Sequence, residues 1–514
     1  MPKIFIDGQA LEVAAGLTVL RAAEEAGIQI PHFCYHPAFA PEGSCRMCLV
    51  EIEGLPKLEL ACSTLVKEGM KVQTTSPKVI EARKGVLEFL LAEHPLDCPI
   101  CDKAGECKLQ DYFEEYGLFR SRFNETKEKR EKKFALGKTL ILDRERCILC
   151  TRCVRFLNEI SKTEEAGILN RGIHSEVGVF ESELIDNNYS GNLAEICPVG
   201  AITDTDFRFK TRAWFLEKKE SICPRCSRGC SIYIDSHPGF PRVPRSRRVY
   251  RVRARQNLEV NSYWICDFGR YGYPDLDQGR QESLVWKKKR RDTALSWAKV
   301  LQILTGKIRF MIHRKKVSHL GVVLHTNLTN EELFLAKRLF QMDLGIQKIY
   351  LADPPPGQAD GFLLTADRTA NRRGWQEIGI AAEAVDLSAM GELELLLIFG
   401  HYLTSAFSPA DLKNCLDKLG TKVLFAAHQS ALDALVDFIV PVPVSPEKGG
   451  SLTNVDGRVQ VLYPALDFCG DGVPEWKALL DLAKELKTDH RYYWPLNSPE
   501  TVSQALKKEI PFFQ

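Results

Sequence analysis

Residues 147–153 read CILCTRC, and residues 196–199 read ICPV. Cys147, Cys150 and Cys153 thus stand at C-x2-C-x2-C spacing, with a remote fourth cysteine, Cys197, before Pro198. A thiol triplet combined with a distant cysteine–proline is a spacing that holds iron–sulfur clusters, and in two-cluster chains the cysteine before proline serves the other cluster. Here Leu157 stands where the triplet's own cysteine–proline would fall, and no second triplet precedes Cys197. The spacing predicts a pseudo-two-fold domain over residues 139–212, opened by a strand at Thr139–Leu142. It keeps one [4Fe–4S] cluster, held by Cys147, Cys150, Cys153 and Cys197.

Working outward, the same arithmetic repeats. Fifteen of the seventeen cysteines lie before residue 270 and, with one histidine, make four groups of four. The first is Cys34, Cys45, Cys48 and Cys62, at C-x10-C-x2-C-x13-C spacing. Around it, residues 1–76 alternate apolar and polar side chains at Lys3–Ile6 and Leu11–Val13, with Asp7-Gly8 as a tight hairpin turn. A helical stretch at Val19–Ala26 and further strands at Leu49–Ile52 and Met70–Gln73 complete a small sheet with one helix. Three cysteines in its loop and a fourth on a later segment suit a [2Fe–2S] site, and Gly43-Ser44 beside Cys45 keep that loop small. A zinc knuckle would use the same four thiolates, but four complete sets in one chain favour clusters.

The second group is His94, Cys98, Cys101 and Cys107, within residues 77–121. Ser76-Pro77 forms an N-cap with proline at the first helical position, and the helix runs toward Glu93. His94-Pro95 stops it and delivers the histidine beside the three cysteines. Lone histidines are more often structural, but no fourth cysteine is free nearby, so His94 is expected to ligate. A neutral imidazole in place of a thiolate makes a cluster less negative, an exchange that raises the potential in Rieske centres. The fourth group, Cys223, Cys226, Cys230 and Cys266, defines a module over 217–274. Its long final gap holds seven arginines between Arg242 and Arg255, read as a solvated hairpin. Docking of an acidic partner surface, or balancing of cluster charge, is the alternative use for it.

Between these groups, residues 123–138 are charged and read as a surface connector. From residue 275 the texture changes. Apolar runs at Leu320–Leu324, Lys348–Leu351, Leu395–Phe399 and Val423–Ala427 alternate with helical patterns at Asn330–Leu344 and Pro409–Leu419, predicting an α/β domain over 275–514 with a mainly parallel sheet. The run Trp286–Arg291 reads as an exposed face before a helix, and Cys415 and Cys469 as non-ligands. No G-x-G-x-x-G follows a strand and no P-loop is present, so no place to take a hydride is apparent. The net charge of +2 gives no global pull toward nucleic acid. No signal-peptide pattern and no apolar run of about 18 residues are seen, so a cytoplasmic, reducing setting is expected.

The segments PHFCYHP, GSCRMCLVEI, AEHPLDCPICDKAGECKLQ, RCILCTRCVRF and EICPVGAI, followed by SICPRCSRGC and WICDFGRYGY, resemble the large iron–sulfur subunit family of respiratory NADH–quinone oxidoreductase, complex I. Toward the end, VLHTNLTNEE and EKGGSLTNVDGRVQ are similar to the molybdopterin-oxidoreductase-like part of that family. The resemblance implies α+β N-terminal domains: a β-grasp [2Fe–2S] ferredoxin-like domain, a helical His/Cys segment and a bacterial ferredoxin-like domain. A shortened molybdopterin-oxidoreductase-like α/β domain follows. It implies one [2Fe–2S] cluster on the first set and [4Fe–4S] clusters on the other three; because the α/β region is short for a working molybdopterin enzyme and its lone cysteines lack a metal-ligand context, no molybdopterin is expected, and Glu447, Asn454 and Arg458 are read as structural turn residues. Electrons would arrive from a flavin- and NADH-binding subunit at the Cys34 set, pass to the Cys147 set and then the His94 set, and leave to ferredoxin-like and other peripheral-arm subunits. The fourth set would lie off that path. The membrane arm would be reached only indirectly, from the cytoplasmic side of an inner membrane. A formate dehydrogenase or NAD-linked hydrogenase component is the alternative function.

Overall fold

The computed structural model describes all residues except 181–183, 238–247, 289–290, 487–492 and 494; the side chains of Lys288 and Arg291 also lie outside the description. The chain divides into two compact units, Met1–Leu216 and Glu217–Gln514. Among the described residues, no helix is long and apolar enough to cross a membrane.

The first unit begins with a five-stranded sheet in the order Gln9–Glu12, Lys3–Ile6, Lys71–Gln73, Leu49–Ile52, Glu59–Leu60. Asp7 and Gly8 both take positive φ, 48° and 83°, as a hairpin turn of this hand requires. Val19–Glu25 is the single helix, with Thr18 as its N-cap. Its buried face meets Ile4, Ile6, Val50, Ile52 and Val72, and Cys48 and Cys62 belong to the same core. The helix Pro77–Glu93 starts as expected, with the Ser76 hydroxyl accepting from the Val79 amide at 3.4 Å. It ends because His94 is extended (φ −64°, ψ 131°), the conformation forced on a residue before proline.

Arg83 on this helix is 1 % exposed. Its guanidinium donates to the Tyr116 hydroxyl at 3.1 Å and the Leu49 carbonyl at 3.3 Å. One buried cation therefore ties the long helix to the first sheet and to a second helix, Lys108–Tyr116. The connector at 123–138 is largely exposed but not merely surface. Lys127 Nζ caps the helix end by donating to the carbonyls of Leu91, Ala92 and His94 at 2.5, 2.9 and 2.8 Å. The remainder builds a three-stranded sheet, Ile202–Asp204, Leu140–Leu142, Phe134–Ala135. Two short helices, Arg152–Arg155 and Asn192–Ile196, complete it, the first running on into a π-helical turn, Phe156–Ser161.

The second unit opens with an antiparallel sheet, Glu217–Ile222, Ser231–Ser236, Val249–Ala254. An eight-stranded sheet follows, in the order Arg291–Ala294, Val285–Lys288, Phe438–Pro441, Thr421–Ala426, Leu395–Phe399, Leu320–Leu324, Lys348–Leu351, Glu383–Ala384. Its strands from Phe438–Pro441 to Glu383–Ala384 pair in parallel. The helix expected at Asn330–Leu344 is α over Asn330–Ala336 and π over Lys337–Asp343.

Two expectations need correction. Trp286 does not stand on an exposed face before a helix: Val285–Lys288 is a strand paired with Phe438–Pro441, and the indole stacks on Phe438 at 5.7 Å. The described arginines of the 242–255 stretch are ion-paired rather than solvated; residues 242–247 lie outside the described residues. Arg248 meets Asp277 and Glu447 at 2.7 and 2.6 Å, Arg251 and Arg253 share the buried Asp235 at 2.6 and 2.8 Å, and Arg255 meets Glu220 at 2.9 Å. Glu447 does hold a turn, Ser445–Glu447, its Oε2 accepting from the Val444 amide at 2.9 Å, and it is also a fully buried carboxylate between Arg248 and Arg280. Asn454 does hold a turn, its side-chain oxygen accepting from the Asp456 and Arg458 amides at 3.1 and 2.8 Å.

Arg83→Ala leaves the Tyr116 hydroxyl and the Leu49 carbonyl without this donor, and should cost about 3 kcal/mol in urea unfolding. Lys71→Ala, which removes an exposed pair with Glu53 at 3.0 Å, should cost under about 1 kcal/mol. Equal losses would contradict the role given to Arg83.

Candidate functional site

In the first set the four thiols fall into two hydrogen-bonded pairs. Cys45 donates to Cys34, which holds the Cys34 thiol below its ordinary range and pushes Cys45 up; Cys62 and Cys48 are coupled in the same way, Cys62 down and Cys48 up. Two pairs are the donor set that two irons with four cysteines require. The Phe33 amide points at Cys45 Sγ at 3.4 Å, the kind of N–H approach that stabilises sulfur anions.

The second set is gathered at the junction of two helices. His94 ends one and Cys107 is the N-cap of the next, with Cys98–Ile100 as a 3-10 turn between. His94 Nδ1 is buried and has no hydrogen-bond partner among the described residues. Burial lowers the imidazole to about 4, so it is neutral near pH 7. A buried, neutral, unpartnered ring nitrogen is free to ligate a metal. Gly200 completes the site: a Cβ there would lie 2.2 Å from Cys101 Sγ, so nothing larger than glycine fits.

The third set surrounds a small cavity lined by Cys147, Cys150, Cys153 and Cys197 together with Leu142, Val177, Val199 and Ile202. Burial pushes Cys147 up to about 11 and Cys150 to about 12. Thiols so placed stay protonated until positive charge arrives, as a bound cluster's irons would supply. Leu149 and Thr151 take positive φ, 50° and 60°, which lets the triplet turn inward.

The fourth set lies in the second unit. Cys223, Cys226 and Cys230 occupy the loop joining Glu217–Ile222 to Ser231–Ser236, closed by Cys223 N–H to Cys230 C=O at 2.8 Å. Cys266 precedes the helix Asp267–Arg270, and a Cβ on Gly269 would lie 2.9 Å from Cys223 Sγ. All four thiols are buried. Of the remaining two, Cys415 is buried and donates to the Leu387 carbonyl at 3.3 Å, and Cys469 is half-buried.

Among the described residues, no three His, Cys, Asp or Glu side chains converge on one ion's position. A single zinc would need its sulfurs all about 2.3 Å from one point; a cluster gives different cysteines different irons, so its thiolates stand around a volume. The donor chemistry fits clusters at the third set, where four cysteines line one cavity, and at the second, where the His94 ring nitrogen is unpartnered among the described residues.

Within the first unit the sets are wired together by residues outside the cysteine spacing. Arg155 donates to the Cys34 carbonyl, to Ala40 C=O at 2.9 Å and to Cys150 C=O at 3.5 Å, joining the first set to the third. Arg152 donates to Tyr35 C=O and to Ile196 C=O at 3.2 Å, and its charge acts on the thiols of Cys150, Cys197, Cys34 and Cys45. The tetrapeptide Cys197–Gly200 joins the third set to the second, since Cys197 belongs to one, Gly200 packs on Cys101, and Pro198 C=O accepts from Lys108 N–H at 3.0 Å. Two arginines inside and just after the cysteine triplet were a readable signal of charge balance. Nothing marked Lys127 or Gly200.

Three family models match parts of the chain: a 2Fe-2S iron-sulfur cluster binding domain over residues 2–77, an NADH-ubiquinone oxidoreductase-G iron-sulfur binding region over 83–122, and the ferredoxin-like domain of NADH-quinone oxidoreductase subunit 3 over 137–203. The G subunit of NADH-quinone oxidoreductase from Rickettsia bellii is 40% identical over 341 residues, 66% of this chain and 48% of that protein. The mitochondrial NADH dehydrogenase [ubiquinone] iron-sulfur protein 1 of Solanum tuberosum is 43% identical, over 59% of this chain and 40% of that one. The G subunit from Streptomyces coelicolor is 41% identical, over 58% and 35%. The chain spans about half the length of the first curated relatives it matches. A chain of a solved NAD+-reducing [NiFe]-hydrogenase in the H2-reduced state is 34% identical, covering 41% of this chain and 90% of that one, with a TM-score of 0.38, too low to support a structural comparison.

Arg155→Met should release the 34–40 loop from the third set. A loss of about 2 kcal/mol in hydrogen bonding implies cleavage by chymotrypsin at Tyr35 and Phe39 that is roughly 30-fold faster, if opening precedes cutting. An unchanged cleavage rate would show that Arg155 is not what holds the loop.

Proposed function

We infer the function of a chain that is, over 66% of its length, a homologue of the G subunit of NADH-quinone oxidoreductase: it is the iron–sulfur electron-transfer subunit of such an enzyme. It carries one [2Fe–2S] cluster on Cys34, Cys45, Cys48 and Cys62. [4Fe–4S] clusters sit on His94 with Cys98, Cys101 and Cys107; on Cys147, Cys150, Cys153 and Cys197; and on Cys223, Cys226, Cys230 and Cys266. Each set forms its own module, at 1–76, 77–121, 139–212 and 217–274, and residues 275–514 form a molybdopterin-oxidoreductase-like scaffold. A flavin- and NADH-binding subunit is the donor, and ferredoxin-like peripheral-arm subunits accept, on the cytoplasmic side of an inner-membrane complex.

The observation that carries this reading is the pair of chain-borne links between sets. Arg155 spans the Cys34 and Cys150 carbonyls, and Cys197–Gly200 spans the third and second sets. They support the order Cys34 set, Cys147 set, His94 set. When bound, the clusters supply one-electron exchange without atom transfer. The chain's own part is to hold thiolates in fixed positions, exclude water from them and balance their charge. Arg152, within electrostatic reach of thiols from two sets, does the last.

Purified anaerobically with its clusters assembled, the chain should hold about fourteen irons. Gly200→Ala pushes a methyl against Cys101 Sγ and should lose about four of them, all from the His94 set. An unaltered iron content would remove Gly200 from that site. His94→Cys should keep the iron but lower the cluster's potential, because an anionic thiolate replaces a neutral ring. An unchanged potential and spectrum would strike His94 from the ligands.

A further inference from the structure

Among the described residues, the guanidinium that bridges the first and third ligand sets has no carboxylate partner. Arg152 lines the cavity of the third set, together with Cys147, Cys150, Cys153 and Cys197. It donates to Ile196 C=O at 3.2 Å, the carbonyl before Cys197, and to Tyr35 C=O, the carbonyl after Cys34. One side chain is thereby pinned to a ligand-bearing segment of each set, and its position is fixed from both sides. Its Nε is buried and has no hydrogen-bond partner among the described residues, which leaves one N–H over.

Arg155, on the same short helix, differs on this point. Its guanidinium lies 3.6 Å from the Glu42 carboxylate and 5.2 Å from the centre of the Phe39 ring, so part of its charge is met within the protein. The two arginines therefore divide the work. Arg155 holds the 34–40 loop, and Arg152 supplies charge that no carboxylate cancels.

That charge reaches two sets and not the other in this unit. It acts on the thiols of Cys150 and Cys197 in the third set, and on those of Cys34 and Cys45 in the first. The charged groups that bear on the His94 ring are different ones: Asp97, Arg146, Lys127 and Lys132. A guanidinium keeps its proton throughout the pH range of a folded protein, so the charge at Arg152 is constant.

One-electron exchange at such sets makes no bond and moves no proton. The energy of the added electron is then governed by net charge, hydrogen bonds to sulfur and solvent exposure. At an effective dielectric constant of about 20, a unit charge roughly 10 Å away changes such an equilibrium by about tenfold. A cation shared by two sets favours the electron on both. Both become easier to reduce, while the step between them keeps nearly the same driving force.

We propose that Arg152 is the shared potential-setting residue of the first and third sets, raising both potentials together and leaving the His94 set alone. This rests on the electron-transfer function inferred above and adds to it a residue that keeps two successive stations level.

The test is a dithionite titration of the full, cluster-loaded chain, followed by electron paramagnetic resonance. Each signal is assigned by its loss in Cys48→Ala, Cys150→Ala or Cys101→Ala. In Arg152→Gln, reduction at the Cys34 and Cys147 sets should each become at least tenfold less favourable, a fall of about 59 mV in both potentials. The His94 set should stay within about twofold of the unaltered chain. Arg152→Lys, which keeps the charge, should bring both potentials back, a rescue that a purely structural residue would not show. Unmoved potentials in Arg152→Gln overturn the proposal, as does a fall at one set only, an equal fall at the His94 set, or equal falls in the Gln and Lys variants. Loss of iron from the first and third sets in both variants also overturns it, since Arg152 is then structural. If only Arg152→Gln loses iron, Arg152→Lys decides: potentials held at both sets support the charge role, and a shift at either overturns it. Absence of clusters from the unaltered chain would overturn the inferred function and this proposal with it, whereas assembled clusters with unmoved potentials overturn the proposal alone.

Discussion

A buried thiolate is an unsolvated anion, and the first unit is arranged around that cost. Taking such charge out of water is penalised unless cations or hydrogen-bond donors meet it. The chain answers with two arginines from one short helix. Arg152 and Arg155 belong to Arg152–Arg155, the segment that also carries Cys153. Because Arg155 donates to the carbonyls of Cys34 and Cys150, and Arg152 to those of Tyr35 and Ile196, charge balance and domain packing are achieved by the same side chains. The first and third ligand sets cannot move apart without exposing those carbonyls and stripping their thiols of compensating charge.

The same economy joins the third set to the second. Cys197–Gly200 is four residues long, yet its first residue lines one site and its last admits the Cys101 sulfur of the next. A segment this short cannot flex between two sites; its length fixes their separation. Arg146 extends the link, for it precedes Cys147 while its guanidinium pairs with Asp97 at 2.6 Å, within the loop between His94 and Cys98.

Much of this was legible in residue order. Thiols at short spacing define a loop, and a loop can be read without knowing the fold, so the sixteen candidate ligands stood out. The hairpin at Asp7-Gly8, the Ser76 cap and the His94-Pro95 stop were legible for the same local reason. What resisted reading was long-range. Nothing near Lys127 announces that it caps a helix ending more than thirty residues earlier. Trp286 precedes a charged run and looked exposed because its partner, Phe438, lies far along the chain. The arginines after 248 looked solvated for want of a visible partner, and their acidic partners come from Glu220, Asp235, Asp277 and Glu447.

The second unit raises a different physical question. Lys448 is buried between Glu332 and Glu475, and Glu447 is buried between Arg248 and Arg280. Well-packed apolar residues of similar volume would serve stability as well or better, because desolvating such ions costs several kcal/mol apiece. Scaffolding alone therefore does not account for them. Lys448 and Glu475 line a cavity together with His325 and Gly400, which follow two of the parallel strands, and Arg280 is bridged by its backbone to His428, which lines it too. The buried charges thus concentrate where the sheet opens rather than through its apolar core of Leu395, Leu397, Val423 and Phe425. These paired charges lie outside the apolar core, so the sheet is held by Leu395, Leu397, Val423 and Phe425, and the ion pairs fix the segments that border its open end.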